Sequence, residues 1–494
     1  MISREPTQLM HGIATWVGQF DHVMAVHVFW LYPFQALVFL AALVAYYRVP
    51  RVGFQNAILL ILAADVTWYI SPMFFLLSFA GGALEWSIAV RIHRSRERRV
   101  RWALLATSIA TNLVILGIML SGFLQDGFLA GIRLLGAPQF ADRQVVNFFA
   151  VGFNVFVLFS KISLTLDVFQ EQVGKEPGFW RSMVFLTLFS RSGGFPIDRA
   201  KDTLPQFDTR REWSWRRAGE SFWLLFRGLL QLALYHEISQ PAHNLLGENS
   251  SGLGVVAGAW VFMIGAWLLF SGVVDAARAS AWMFGIWVPP NFDAPYLSVN
   301  IGEFWRRWNM TVSTWFNEYA FGKITFALRN WGYWSISIAC AVTFIGCGLA
   351  HGLTWGNVAW GTLQGGSMFL YVVSRKRVRK WAKAMGNPRW IAVGAWFLTI
   401  NIVVVSFMID SDDCHCATTG MLKSIFLGPI WPAIAAGVDW TRILVTCALA
   451  MVLQAIPHFK GGDQWMSALR PRYRWAVGIV WMTIILLSNW SNPL

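Results

Sequence analysis

Charge is scarce in this chain. Only 13% of its 494 residues are Asp, Glu, Lys or Arg, about half of the roughly 25% usual in soluble domains. The apolar residues, 56% of the total, come in long runs, which excludes a soluble enzyme and makes the chain an integral membrane protein. No internal repeat of the transporter kind is visible. The first residues, MISREPTQLMHGIATW, lack the basic, apolar and small-residue regions of a secretory leader, so the first membrane helix is expected to direct insertion.

Metal ligands are sparse as well. Three of the five cysteines, Cys340, Cys347 and Cys447, lie in apolar runs, where a thiol behaves as a small hydrophobe. Cys414 and Cys416 flank His415 in a polar loop, but three soft ligands fall short of a structural zinc site. No metal is expected. The formal charge of +14 sits in clusters between hydrophobic segments, as the positive-inside rule requires, which disfavours nucleic acid as partner.

Taken in order, residues 26–47, 54–70, 72–91, 103–124 and 146–169 are apolar enough to cross or enter the bilayer. So are 179–195, 219–240, 253–274, 334–350, 355–373, 436–455 and 475–490. Arg-rich stretches at 91–101, 195–217 and 374–383 mark the cytoplasmic side. Residues 276–333 hold alternating aromatic and basic residues with Pro289, Pro290 and Pro295 and no clean span. Such a segment survives at membrane depth only if buried in protein or lining a cavity, which predicts short, tilted or re-entrant helices. The expected architecture is all-α, with about 11–13 membrane helices including the short ones. It reads as one polytopic domain over 1–494, with N-terminal helices in 26–170, a core at about 180–370 and C-terminal helices in 390–490.

Two blocks in that core carry polar residues that need a reason. The first, Pro290 to Tyr319, includes Glu303, Trp305, Arg306, Arg307, Trp308, Asn309, Ser313 and Trp315. The second places His351 at the bend of a hairpin, bracketed by Gly348, Gly352 and Gly356. A histidine there is either a hydrogen-bonded core residue or a functional one, and intramembrane ionisable groups are functional candidates by default. Its pKa range suits proton transfer. The flanking glycines would let a substrate or another backbone approach. Asn309 could simply cap a helix end. Arg306 and Arg307 are either snorkelling cations or, beside an aromatic wall, ligands for a phosphate or carboxylate, with Glu303 and Glu318 as counter-ions.

The ordered blocks resemble the membrane-bound O-acyltransferase (MBOAT) family, in particular the bacterial branch with the alginate O-acetylation protein and the teichoic-acid D-alanyl transfer membrane protein. Asn291, Phe292, Pro295, Tyr296 and Leu297, then Glu303 to Trp308, then Ser313 and Trp315 match one family block. His351, Gly352, Trp355, Trp360, Gly361 and Gly365 match a second, and Pro196, Ile197, Asp198 and Arg199 a third. The resemblance implies a ring of helices around a central funnel or tunnel, and transfer of an acyl group to a hydroxyl. It puts His351 on the catalytic histidine position and Asn309 on the second signature position, where the bacterial branch usually has His. Ala350, Gln364 and Phe195 also depart from the branch's pattern.

On that resemblance the catalytic residues are His351 and Asn309. Trp305, Arg306, Arg307, Trp308, Ser313 and Trp355 are expected to line the donor side or tunnel, supported by Glu303, Asp198 and Arg199. No cofactor is expected to be bound. The donor would be acyl-CoA, acetyl-CoA foremost, or an acyl-carrier protein at the cytoplasmic face. The acceptor would be an extracytoplasmic polysaccharide, a cell-wall polymer or an esterase-like partner protein, with a lipid or protein acceptor as alternative. The location implied is the bacterial cytoplasmic (inner) membrane. A transporter without chemistry would instead carry inverted repeats and paired intramembrane charges, and neither is visible in the sequence.

Overall fold

A computed structural model describes residues 33–120, 130, 133, 153–191, 196–246, 252–410 and 438–487, except 71, 387, 461 and 464. The Cys414–His415–Cys416 loop, Phe195, and nearly all of 126–144 fall outside the described residues. Every labelled element is helical. In order they are α1 (Pro33–Arg48), α2 (Val52–Ile70), α3 (Pro72–Arg94), α4 (Arg98–Leu120), α5 (Phe153–Phe169) and α6 (Phe179–Thr187). The long pair α7 (Trp215–Leu246) and α8 (Leu253–Met283) follows, then the short α9 (Ile301–Arg307), α10 (Met310–Phe316) and α11 (Gly322–Ala327). The chain continues through α12 (Tyr333–Leu349), α13 (Trp355–Ala384), α14 (Arg389–Asp410), α15 (Trp440–Phe459) and α16 (Pro471–Leu487). Six of the described helices are long and apolar enough to cross a membrane: α2, α3, α4, α8, α14 and α15. The protein is an all-α integral membrane protein.

Some boundaries differ from the sequence expectation, for identifiable reasons. The segment read as a span over 179–195 is helical only to Thr187, about 13 Å of helix at 1.5 Å per residue. It is too short to cross, and it is buried from Arg181 to Thr187 among other helices. The irregular segment begins later than residue 276, because α8 runs on to Met283. The basic run 374–383 is not a loop after a helix but the last turns of α13. Arg and Lys are good helix formers, and the first breaker after the run is Gly386, at φ +76°.

Among the described residues, three of the hydrophobic clusters position the site. One packs α1–α6 against the polar segment 200–207 and residues 281–288. Gln55 and Asn56 fasten that segment. Gln55 Nε2 donates to Tyr46 O at 3.1 Å and Arg211 O at 2.7 Å, and Asn56 Nδ2 donates to Phe207 O at 3.0 Å. Irregular backbone next to membrane helices must find such partners, since hydrocarbon offers none. The second and largest cluster joins α7, α8, α14, α15 and α16 around Tyr296, Phe304 and Trp308. Here α7 and α8 touch backbone to backbone: a Cβ at Gly228 would lie 2.8 Å from Gly272 O, the small-residue contact typical of membrane helix pairs.

Paired buried charges are present after all. Arg227 donates to Asp275 Oδ2 and Asp463 Oδ1, both at 2.7 Å. Arg278 donates to Asp463 Oδ2 at 2.7 Å and to Val288 O at 3.1 Å. The carboxylates are 48 and 236 residues from Arg227; within the set only Asp275 and Arg278, three apart on α8 and 3.4 Å from each other, form a local pair. It lies toward the end of α8 and ties α7 and α8 to the turn after α15.

The third cluster is small. Phe159 and Ile162 of α5, Ile197, Val312 and Trp315 of α10, and Ala350 pack together. It joins all three sequence blocks.

Candidate functional site

The site is built on a buried irregular strap, residues 291–297, and the short helices after it. The strap is anchored at several points. Trp396 Nε1 donates to Tyr296 O at 2.7 Å, Tyr296 N donates to Gln454 Oε1 at 3.3 Å, and His458 Nδ1 lies 2.7 Å from Asp293 Oδ1. It runs along the α9–α10 junction: Asp293 N donates to Arg307 O at 3.0 Å and Met310 N to Asn291 O at 2.8 Å. Between those bonds sits Asn309, in the left-handed region at φ 42°. Asn, Asp and His tolerate that conformation better than other non-glycine residues, which limits what can stand there.

The residues of the first block divide. Trp308 is 4% exposed. It is surrounded by Phe304, stacked at 5.6 Å, by Phe292 at 5.1 Å and by Phe407 at 5.3 Å. Arg307 pairs with Glu303 at 2.6 Å and donates to Ala294 O at 3.3 Å. Arg306 is exposed at the end of α9. Trp305 is half-buried; its Nε1 donates to Gln364 Oε1 at 3.0 Å, and Gln364 Nε2 donates to Ser406 Oγ at 2.6 Å. Ser313 turns back to Trp308 O at 3.3 Å.

In the second block His351 lies at the α12–α13 bend, exposed, with its ring 5.7 Å from Trp360 and 30° from parallel. Trp360 in turn meets Trp305 edge-on at 5.9 Å, so α9 and the bend share an aromatic wall. The bend is fixed locally. Thr354 caps α13 by accepting from Asn357 N at 3.2 Å, and Asn357 Nδ2 donates to Gly352 O at 2.9 Å. Asn357 was not singled out in the sequence; its spacing from Thr354 is the signal that could have found it. Trp355 is 77% exposed. The motif glycines serve the hairpin: a Cβ at Gly361 would come 2.6 Å from Ile345 Cα. At Gly348, Gly361 and Gly365 the close neighbour is another backbone, and at Gly352 it is the Asn357 side chain.

The third block closes onto the first. Ile197 N donates to Thr311 Oγ1 at 3.1 Å, Asp198 is buried, and Arg199 pairs with Asp202 at 2.7 Å and with Glu318. Glu318 also takes Lys201, so it is not the counter-ion of Arg306 and Arg307. Glu318 lies in a π-helical stretch, Asn317–Phe321, of the kind often found at functional sites. Tyr319 from that stretch donates to Asp167 Oδ1 at 2.5 Å. Burial alone would raise the Glu318 carboxyl, but the Lys201 hydrogen bond and the charges of Arg199 and Lys201 outweigh it and hold it below its usual 4.5. A depressed carboxylate stabilises the fold above its unfolded pKa, and that contribution is lost as pH falls through the folded value. Glu318→Gln should therefore be less stable than the parent at pH 7, by about 1–3 kcal/mol for the charged hydrogen bonds. The gap should narrow below pH 4.5; thermal unfolding in detergent across that range checks it.

No group of three or more His, Cys, Asp or Glu that could hold a metal exists among the described residues. Known proteins resembling the chain share one chemistry. A probable alginate O-acetylase of Pseudomonas putida is 26% identical over 391 residues, covering 77% of this chain and 76% of the relative. The peptidoglycan O-acetyltransferase of Helicobacter pylori is 22% identical over 358 residues, 65% and 64%. The teichoic acid D-alanyltransferase of Bacillus subtilis is 24% identical over 296 residues, 56% and 71%. The chain is related to the bacterial membrane-bound O-acyltransferases. No family model matches it. As a relative of these enzymes it is an acyltransferase, and its core blocks carry the hydroxyl, imidazole, amide and guanidinium groups just described.

Proposed function

We propose that the protein moves an acyl group, acetyl foremost, from a cytoplasmic thioester to a hydroxyl of an extracytoplasmic polysaccharide or cell-wall polymer, or of a partner protein that hands it on. His351 takes the proton of the acceptor hydroxyl as that oxygen attacks the thioester carbon. The C–S bond then breaks, and the departing thiolate recovers the proton from the imidazolium. Asn309 donates an amide N–H to the carbonyl oxygen, where charge develops. Arg306 is the cation for the donor's phosphate; Arg307 is already engaged by Glu303.

One observation carries this reading. The helix headed by Asn309 packs through Val312 and Trp315 against Ala350, the residue before His351. Two parts of the chain that are distant in sequence thus share one apolar cluster, a few residues along the chain from the proposed carbonyl donor and next to the proposed base. Sidedness gives further support. From Trp355 to Ser374 α13 rises about 28 Å at 1.5 Å per residue, close to the roughly 30 Å of a bilayer core. With the basic run at the cytoplasmic end, the His351 bend lies toward the opposite face, in the cytoplasmic membrane of a bacterium.

The test supplies acetyl-labelled acetyl-CoA to membranes containing the protein and follows the label. Alkali-labile label in polymer or in a partner protein is the expected result. Label in lipid would move the acceptor to that class, and its absence from every ester fraction would end the acetyl-CoA reading.

A further inference from the structure

We propose that Asn291 is a positioning residue of the transfer site and acts through Asn309; the inference rests on the acyl-transfer reading above. An asparagine at a helix N-cap ordinarily spends its side-chain oxygen on an amide of the first turn. Asn309 heads α10 but makes no such bond. The first-turn amides go to Asn291 instead. Met310 N donates to its main-chain oxygen at 2.8 Å, and Thr311 N donates to its Oδ1 at 3.1 Å. Asn291 is 1% exposed and belongs to the anchored strap, so the cap comes from a rigid neighbour rather than from the helix itself.

The consequence is chemical. With the cap supplied by Asn291, the Asn309 carboxamide is left out of the helix, and its Oδ1 is buried with no hydrogen-bond partner in the protein. An unsatisfied buried oxygen is costly, and in native structures such an atom calls for an explanation, a catalytic role among them. Asn291 thus does two things: it holds Asn309 in its left-handed turn, and it frees the carboxamide for a substrate N–H or O–H and for the thioester carbonyl.

A double-mutant cycle separates positioning from support of the fold, because residues that act as a unit are non-additive. The full-length protein in lipid nanodiscs is given acetyl-CoA and acceptor, and thiol release is followed over about five decades. Asn291→Ala is expected to lower kcat about 10–100-fold, as a misplaced site group does, with KM for acetyl-CoA within about threefold. In an Asn309→Ala background the same change should lower kcat less than about twofold. If Asn291→Ala is not recovered folded, Asn291→Ser replaces it, with a smaller loss of about 3–10-fold that likewise vanishes beside Asn309→Ala. Equal losses in both backgrounds, or no loss in the parent, overturn the proposal. So does a fall beyond the assay's range in Asn309→Ala alone, because a single carbonyl donor is worth about 10²–10³-fold. Full activity in Asn309→Ala would instead remove the reading of the site on which the proposal stands.

Discussion

Replacing His351 with alanine is expected to reduce acyl transfer to the level of empty membranes while leaving the protein folded. The ring is exposed at the bend and shares one aromatic face with Trp360, so little packing is lost with it. What is lost is the proposed base. A positioned general base is worth about 10²–10⁴-fold, and among the described residues around the bend the structure brings no second imidazole beside it. The other histidine near the strap, His458, faces Asp293. Asn309 cannot substitute, because an amide neither accepts nor releases a proton at neutral pH. The comparison with Asn309→Ala is therefore diagnostic. If Asn309 only orients the carbonyl, its loss should cost about 10²–10³-fold, less than that of His351. Label transfer from acetyl-CoA, with size-exclusion profiles as the folding control, decides between the two. An active, well-folded His351→Ala would end the assignment of the base.

How much of this was legible in the sequence depends on the range of the interaction. Long apolar runs located most helices, since the bilayer imposes a length. The irregular core segment was legible from its prolines and the lack of a 20-residue run. The placement of His351 at a bend followed from the glycines that bracket it and from the apolar segments on either side. Long-range polar pairing was not legible. Nothing in the local pattern links Glu318 to Arg199 and Lys201, 119 and 117 residues away, or Arg278 to Asp463, 185 residues away. Charge patterns within helices carry information about neighbours at three and four positions, not about which distant helix supplies the counter-ion. The same limit hid the role of Asn291. Its side chain reads as one more motif residue until the left-handed turn at Asn309 shows which amides needed capping.

The glycines of the second block were legible as points of close approach, by a substrate or by another backbone, and Gly348 carries the largest stability effect expected here. Gly348 of α12 faces α13 so closely that an added Cβ would lie 2.2 Å from Asn357 O and 3.1 Å from Asn357 C. Both atoms are backbone, so relief requires the two helices to move apart. Gly346, two residues earlier on the same helix, has nothing within 4 Å of the corresponding position. Gly348→Ala should therefore destabilise the protein by about 3 kcal/mol, at the upper end of overpacking costs. Gly346→Ala should be neutral or up to about 1 kcal/mol stabilising, because alanine is the better helix former. Since Asn357 also holds Gly352 O at 2.9 Å, spreading the hairpin shifts the bend that carries His351. Transfer in Gly348→Ala should fall about 10²-fold even in the fraction that remains folded, the usual consequence of displacing a catalytic group by about 1 Å. Thermal unfolding and label transfer, measured on both variants in the same detergent, read the two effects separately. If Gly348→Ala matched Gly346→Ala in both, the α12–α13 contact would not be what holds His351 in place.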